Sequence, residues 1–197
     1  ALRGERYQNG ASPAFVSFIT ETLPYLSFSE AMEFYREYLP RLKPTEMALL
    51  GCNDRFFLLT GLCNRVDAIH PWIYDRCREV EMNPDGYLDL WSRFHYKSTV
   101  ITFAGSVSEI VHDPETRIVI FSNTKQIAGP FLQQIKEELE TNEKLKALYP
   151  DVLYQVPSKQ SPMWTNDAII VQRRGNPKEA TVEAHGLINA LPTGKHF

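Results

Sequence analysis

Apolar positions repeat at helical spacing through the first half of the chain and gather into short unbroken runs in the second. In residues 29–39, glutamates at 30, 33 and 37 alternate with Met32, Phe34, Tyr35 and Tyr38. This predicts a helix capped by Ser29 and stopped by Pro40. Residues 44–62 predict a second helical region, broken near Gly51, Cys52 and Asn53 and recapped by Asp54. In residues 67–81, Pro71 suits a first turn, and Trp72, Ile73, Cys77 and Val80 fall at helical spacing. The earlier residues read as a peripheral arm, with a short helical piece around Phe15 and Phe18 between Pro13 and Pro24.

The pattern changes after Asn83-Pro84-Asp85-Gly86, a turn. Residues 87–91 form a short apolar run that predicts a strand, and a polar loop follows. A helix is expected from Lys97 or Ser98 to His112, where Asp113-Pro114 ends it. R-I-V-I-F-S, residues 117–122, is nearly continuous in apolar character, as in a parallel strand buried on both faces. A long amphipathic helix to about Thr141 comes next, kinked at Pro130, and then a shorter one over residues 143–149. Residues 168–172 and 181–185 predict two strands in a hairpin-like unit. Strand, loop, helix, strand, helix is the opening of a doubly wound α/β domain with right-handed crossovers.

Composition narrows the function classes. A net charge of −3 excludes whole-surface attraction to nucleic acid, so any DNA contact needs a local basic patch. Arg173, Arg174 and Lys178 offer one in the loop R-R-G-N-P-K-E, which reads equally as a solvated loop or as a face toward DNA or a neighbour. Cys52, Cys63 and Cys77 have no metal-ligand spacing and read as buried thiols in a reducing compartment. No apolar run is long enough to span a bilayer, so no membrane partner is expected. No patterned carboxylate orients His95 or His185 as a base, and both read as structural.

The densest candidate chemistry is W-S-R-F-H-Y-K-S-T, residues 91–99. A loop between a strand and a helix that opens with Lys-Ser-Thr has the layout of a phosphate loop. Backbone N–H groups at a helix start face an anion, and the helix dipole favours negative charge there. Lys97 can reach the β- and γ-phosphates of a nucleotide, and Ser98 can hold Mg²⁺. The two glycines of G-x-x-x-x-G-K-[ST] would fall at Trp91 and Tyr96, and neither is glycine. Lys-Ser-Thr also suits an ordinary capped helix start.

The order of H-P-W-I-Y-D-R-C-R-E-V, L-D-L-W-S-R-F-H-Y-K-S-T, V-I-F-S-N-T, F-L-Q-Q-I-K-E-E-L-E and N-P-K-E-A-T-V-E-A-H-G-L resembles the ATPase domain of the large terminase of tailed bacteriophages, the motor that drives double-stranded DNA into the procapsid. The resemblance covers roughly residues 50–197. It implies an ASCE-type (RecA-like) P-loop NTPase with a mainly parallel sheet and flanking helices, preceded by a helical N-terminal region. Residues 1–43 would be the arm and first helix, and residues 44–197 the ATPase part. The family's loop carries an Arg four residues before the Lys, which here is Arg93 before Lys97. By resemblance, Lys97 neutralises the β- and γ-phosphates, Arg93 acts on the γ-phosphate, and Ser98 ligates Mg²⁺. Ser92, Phe94, His95, Tyr96 and Thr99 complete the ATP-binding loop. Implied partners are double-stranded DNA, the portal protein, the small terminase subunit and other copies of the chain in a ring. The implied place is the cytoplasm of the infected bacterium, at the procapsid portal.

A phosphoryl-transfer motor also needs a strand ending in two acidic residues, one for Mg²⁺ and one to polarise water. Asp75, Asp89 and Asp151 each lack that context. In the family the strand begins just after a segment like P-T-G-K-H-F, residues 192–197, so the chain is expected to be a piece ending short of it. Two alternatives follow: a nucleotide-binding or interaction fragment without turnover, and another P-loop enzyme, which would need a second pocket and an Arg-rich lid.

Overall fold

The computed structural model describes residues 2–83, 88, 90–175 and 178–187. It divides into two compact units, residues 1–104 and residues 105–197.

The first unit is helical: α1 (Pro13–Ser17), α2 (Phe28–Tyr38), α3 (Pro44–Asn53), α4 (Arg55–Phe57) and α5 (Pro71–Met82), joined by 3-10 and π turns. The α2 cap is Ser27, two residues before the expected Ser29. Its hydroxyl accepts from the Glu30 N–H, and the Glu30 carboxylate accepts from the Ser27 N–H at 2.8 Å. This reciprocal S-x-x-E box satisfies two orphan donors of the helix start. Asp54 caps α4 as expected, accepting from the Phe57 N–H at 2.9 Å. It is also fully buried, accepts from the Tyr35 hydroxyl, and pairs with Arg78 at 2.9 Å. Arg78 in turn holds Glu81 at 2.9 Å. Burial, reinforced by the Asp54 carboxylate, keeps the Tyr35 phenol protonated well above the ordinary tyrosine range. This polar knot ties α2, α4 and α5 together inside a core of Leu49, Leu50, Phe56, Leu58 and Leu59.

The second unit holds α6 (Gly105–His112), β1 (Ile118–Ser122), α7 (Lys125–Thr141), α8 (Glu143–Leu148), α9 (Pro157–Gln160), β2 (Ala168–Ile169) and β3 (Val182–Gly186). The sheet order is β1-β3-β2. β1 runs parallel to β3, with Ile118 opposite Val182 and Ser122 opposite Gly186, and β2 is antiparallel to β3. Ala128, Leu132, Ile135 and Leu139 form the buried stripe of α7. The segment joining β1 to α7 passes so close to β3 that a Cβ on Gly186 would meet the backbone of Thr124 and Lys125.

The expected fold class is corrected. The described residues are mostly helical with one small three-stranded mixed sheet, not a large parallel sheet flanked by helices. A parallel strand of that kind must be covered on both faces. In β1 only Ile120 is buried, and Phe121 is 42% exposed. Of the expected strand at residues 87–91, Tyr87 and Asp89 lie outside the described residues. Leu88, Leu90 and Trp91 form no strand, and Leu88 and Leu90 are 79% and 84% exposed. The strand expected over residues 168–172 shortens to two residues because its backbone bonds leave the sheet. Ile170 donates to the Met163 carbonyl, Val171 to the Thr181 hydroxyl and Gln172 to the Val152 carbonyl. The expected turn at residues 83–86 lies outside the described residues beyond Asn83, as do residues 188–197.

The three cysteines are buried, and no disulfide joins them. Among the described residues no helix is long and apolar enough to cross a membrane.

Candidate phosphate-binding loop

The helix expected after the loop is present. Ser98–Ala104 is π-helical and ends the first unit, and α6 begins the second. Its first internal hydrogen bond runs from the Val100 N–H to the Tyr96 carbonyl at 2.9 Å. Tyr96 is therefore the cap, and the N–H groups of Tyr96, Lys97, Ser98 and Thr99 are the helix's orphan donors. Tyr96 adopts φ +59° and Phe94 φ +66°, while the intervening His95 does not. Alternating left-handed with right-handed residues is how nests aim successive N–H groups at an anion. For a bulky side chain each positive φ costs about 1–2 kcal/mol. One of the two positions expected to carry glycine, Tyr96, thus takes the glycine conformation without being glycine. The other, Trp91, does not.

Residues 91–99 line a concavity of about 400 Å³. Arg93, Lys97 and Ser98 are exposed around it, and neither cation is paired with a carboxylate among the described residues. Phe94 projects from the tip, 96% exposed. His95 braces the loop from within: Nδ1 lies 2.8 Å from the Arg93 carbonyl and 2.8 Å from the Ser92 hydroxyl. When Nδ1 carries the proton it donates to the Arg93 carbonyl.

Three residues that sequence reasoning did not assign to the site hold the loop in place. The Tyr96 hydroxyl donates to Asp67 Oδ2 at 3.0 Å. Arg65 grips the same carboxylate in a fork, Nε to Oδ1 at 3.1 Å and Nη2 to Oδ2 at 3.0 Å. The Arg65 bonds, then the Tyr96 hydroxyl, hold Asp67 below the ordinary carboxylate range, and its carboxylate raises the Tyr96 phenol in return. Trp72, at the start of α5, meets Trp91 and His95 edge-on, with ring centroids at 5.2 and 5.5 Å. No local pattern could announce the Asp67 contact, because 29 residues separate the partners.

The basic loop after β2 is partly committed. Arg173 Nη2 donates to the Glu179 carbonyl at 2.9 Å. Glu115 accepts from the N–H groups of Arg174 and Gly175. The side chains of Arg174 and Lys178 remain exposed. His185 has a carboxylate after all: its Nε2 lies 2.8 Å from Glu183 Oε2. That pair was legible, since residues two apart on a strand share a face.

The donors around the loop suit a phosphate: orphan N–H groups, an exposed ammonium and an exposed guanidinium. Ser98 can supply one oxygen to Mg²⁺. Among the described residues no group of three His, Cys, Asp or Glu side chains could hold a metal, so most ligands of such an ion would be phosphate oxygens and water. Compared with protein families, curated proteins and solved structures, the chain matches none.

Proposed function

We propose that residues 91–99 bind the phosphates of ATP and that the chain is the ATP-binding part of a DNA-packaging motor of the large-terminase kind. The observation that carries the reading is Tyr96, held at φ +59° immediately before Lys97 at a helix start. Strain of that sort persists where the surroundings over-determine it, and here they do so through Asp67. The reading rests on the loop and not on the sheet.

In this reading the orphan N–H groups cradle the phosphates and Lys97 offsets the β/γ charge. Arg93, which lines the same concavity, would bind the γ-phosphate in this reading. Mg²⁺, when bound, would neutralise phosphate charge further, with Ser98 as its protein ligand. The wider assignments follow from the resemblance: double-stranded DNA as the cargo, the portal protein and small terminase subunit as partners, a ring of like copies, and the host cytoplasm at the portal as the place. A second reading, binding without turnover, is favoured by one feature. Among the described residues no carboxylate lines the concavity to polarise an attacking water.

Titration of a fluorescent ATP analogue with Mg²⁺ tests the site. Saturable binding that Lys97→Ala weakens by about tenfold or more is expected. Equal binding by the variant would overturn the proposal. Steady phosphate release by this chain would refute the second reading.

A further inference from the structure

Away from the loop, the first unit carries a second concavity, of about 630 Å³, between α1, α2 and the start of α3. Its floor is an aromatic ladder. Phe15 lies 6.1 Å from Phe18, Phe18 lies 4.5 Å from Phe34, and Phe34 lies 5.3 Å from Tyr38, centroid to centroid. The ladder runs from the buried Phe15 to Tyr38, which is 50% exposed. The rim is acidic. Glu30, Glu33 and Glu37 follow one another along the same stripe of α2, and Glu46 closes the far side. Of the cations, Arg41 lines the concavity, while Arg36 lies 3.8 Å from Glu33 and Lys43 lies near Glu46, so carboxylates outnumber the cations beside them.

The carboxylates differ in how far they are committed. Glu30 serves the Ser27 cap, and Glu46 accepts from the N–H groups of Ser12 and Lys43 at 3.1 Å. Glu33 makes only a long contact of 3.8 Å to the exposed Arg36, and Glu37 has no partner among the described residues. An apolar trough with an excess of carboxylates along one wall attracts cations that also present apolar surface. Exposed aromatic faces beside carboxylates add a cation–π contribution.

We infer that this groove docks a basic amphipathic helix of a partner protein. Its apolar residues at i, i+3 and i+7 would lie on the Phe18–Phe34–Tyr38 ladder, and its Lys or Arg residues would reach Glu33 and Glu37. The inference is independent of nucleotide binding.

The test uses a fluorescein-labelled synthetic Leu/Lys amphipathic peptide of about 18 residues, long enough to form a helix. A Leu/Glu peptide of the same pattern is the control. Saturable anisotropy change with the first and none with the second is expected. Glu37→Lys is expected to weaken binding by about tenfold, and Glu137→Lys, an equal charge reversal on exposed α7 surface, to leave it unchanged. Tyr38→Ser, at a half-exposed position, should weaken binding several-fold without lowering the melting temperature. The inference is overturned if the Leu/Lys peptide fails to bind, if the Leu/Glu peptide binds equally, or if Glu137→Lys weakens binding as much as Glu37→Lys. It is also overturned if the chain self-associates and Glu37→Lys abolishes that association, because the occupant is then a second copy.

Discussion

The Tyr96 hydroxyl donates to Asp67 Oδ2 at 3.0 Å, so the residue that occupies a glycine slot is pinned by its own side chain. Glycine would reach the same φ without cost but could not be held there. The tyrosine exchanges conformational ease for a fixed loop.

The Tyr96 phenol is held protonated above the ordinary value of 10.0 by its bond to Asp67. A raised folded-state value means that this bond is fully present below pH 10.0 and is lost as pH rises through the raised value. Ultraviolet difference titration should show Tyr96 ionising late, together with the buried Tyr35 and Tyr74, and only the Tyr96 step should depend on Asp67. Asp67→Ala should return it to the ordinary range, and an unchanged titration would argue that the contact does not persist in solution.

Substitution at Tyr96 separates backbone shape from the tether. Tyr96→Gly keeps the left-handed conformation and should retain ATP-analogue binding within a few-fold. Tyr96→Val, whose branched Cβ opposes positive φ, should cost about 1–2 kcal/mol more in stability than Tyr96→Gly and should bind poorly. Urea denaturation and the analogue titration give the two readouts. Equal behaviour of Gly and Val would remove the conformational argument.

Asp54→Ala should be among the most damaging substitutions in the first unit. It leaves the buried Arg78 with Glu81 as its carboxylate partner, removes the α4 cap and frees the Tyr35 hydroxyl. The expected loss is about 3–5 kcal/mol, seen as a lower urea midpoint. A loss below about 1 kcal/mol would mean that the knot is not closed in solution.

In the second unit, Gly186→Ala should destabilise by about 1–3 kcal/mol, because the new Cβ has only backbone to meet at Thr124 and Lys125. Pro130→Ala should act in the opposite direction. Pro130 is exposed inside α7 and cannot donate to the preceding turn, so alanine should gain about 1–2 kcal/mol. Thermal melts of the two variants check the pair of signs.

Much of the helical order could be read from the chain alone. Periodicity located α2, α3, α5 and α7, because a helix is specified by residues three and four apart. The same locality revealed the loop at residues 91–99, the start of its helix, and the cap at Asp54. The sheet was misjudged for the complementary reason. Whether an apolar run such as residues 87–91 or 117–122 becomes a covered parallel strand depends on what packs over both faces, which no short window encodes. Tertiary structure alone decided that Leu88 and Leu90 face solvent, that β3 lies between β1 and β2, and that Asp54 meets Arg78. It also decided that Asp67, far from the loop in sequence, holds Tyr96 in a glycine's conformation. The sequence determined which side chains stand in residues 91–99, and the fold determined the backbone shape that carries them.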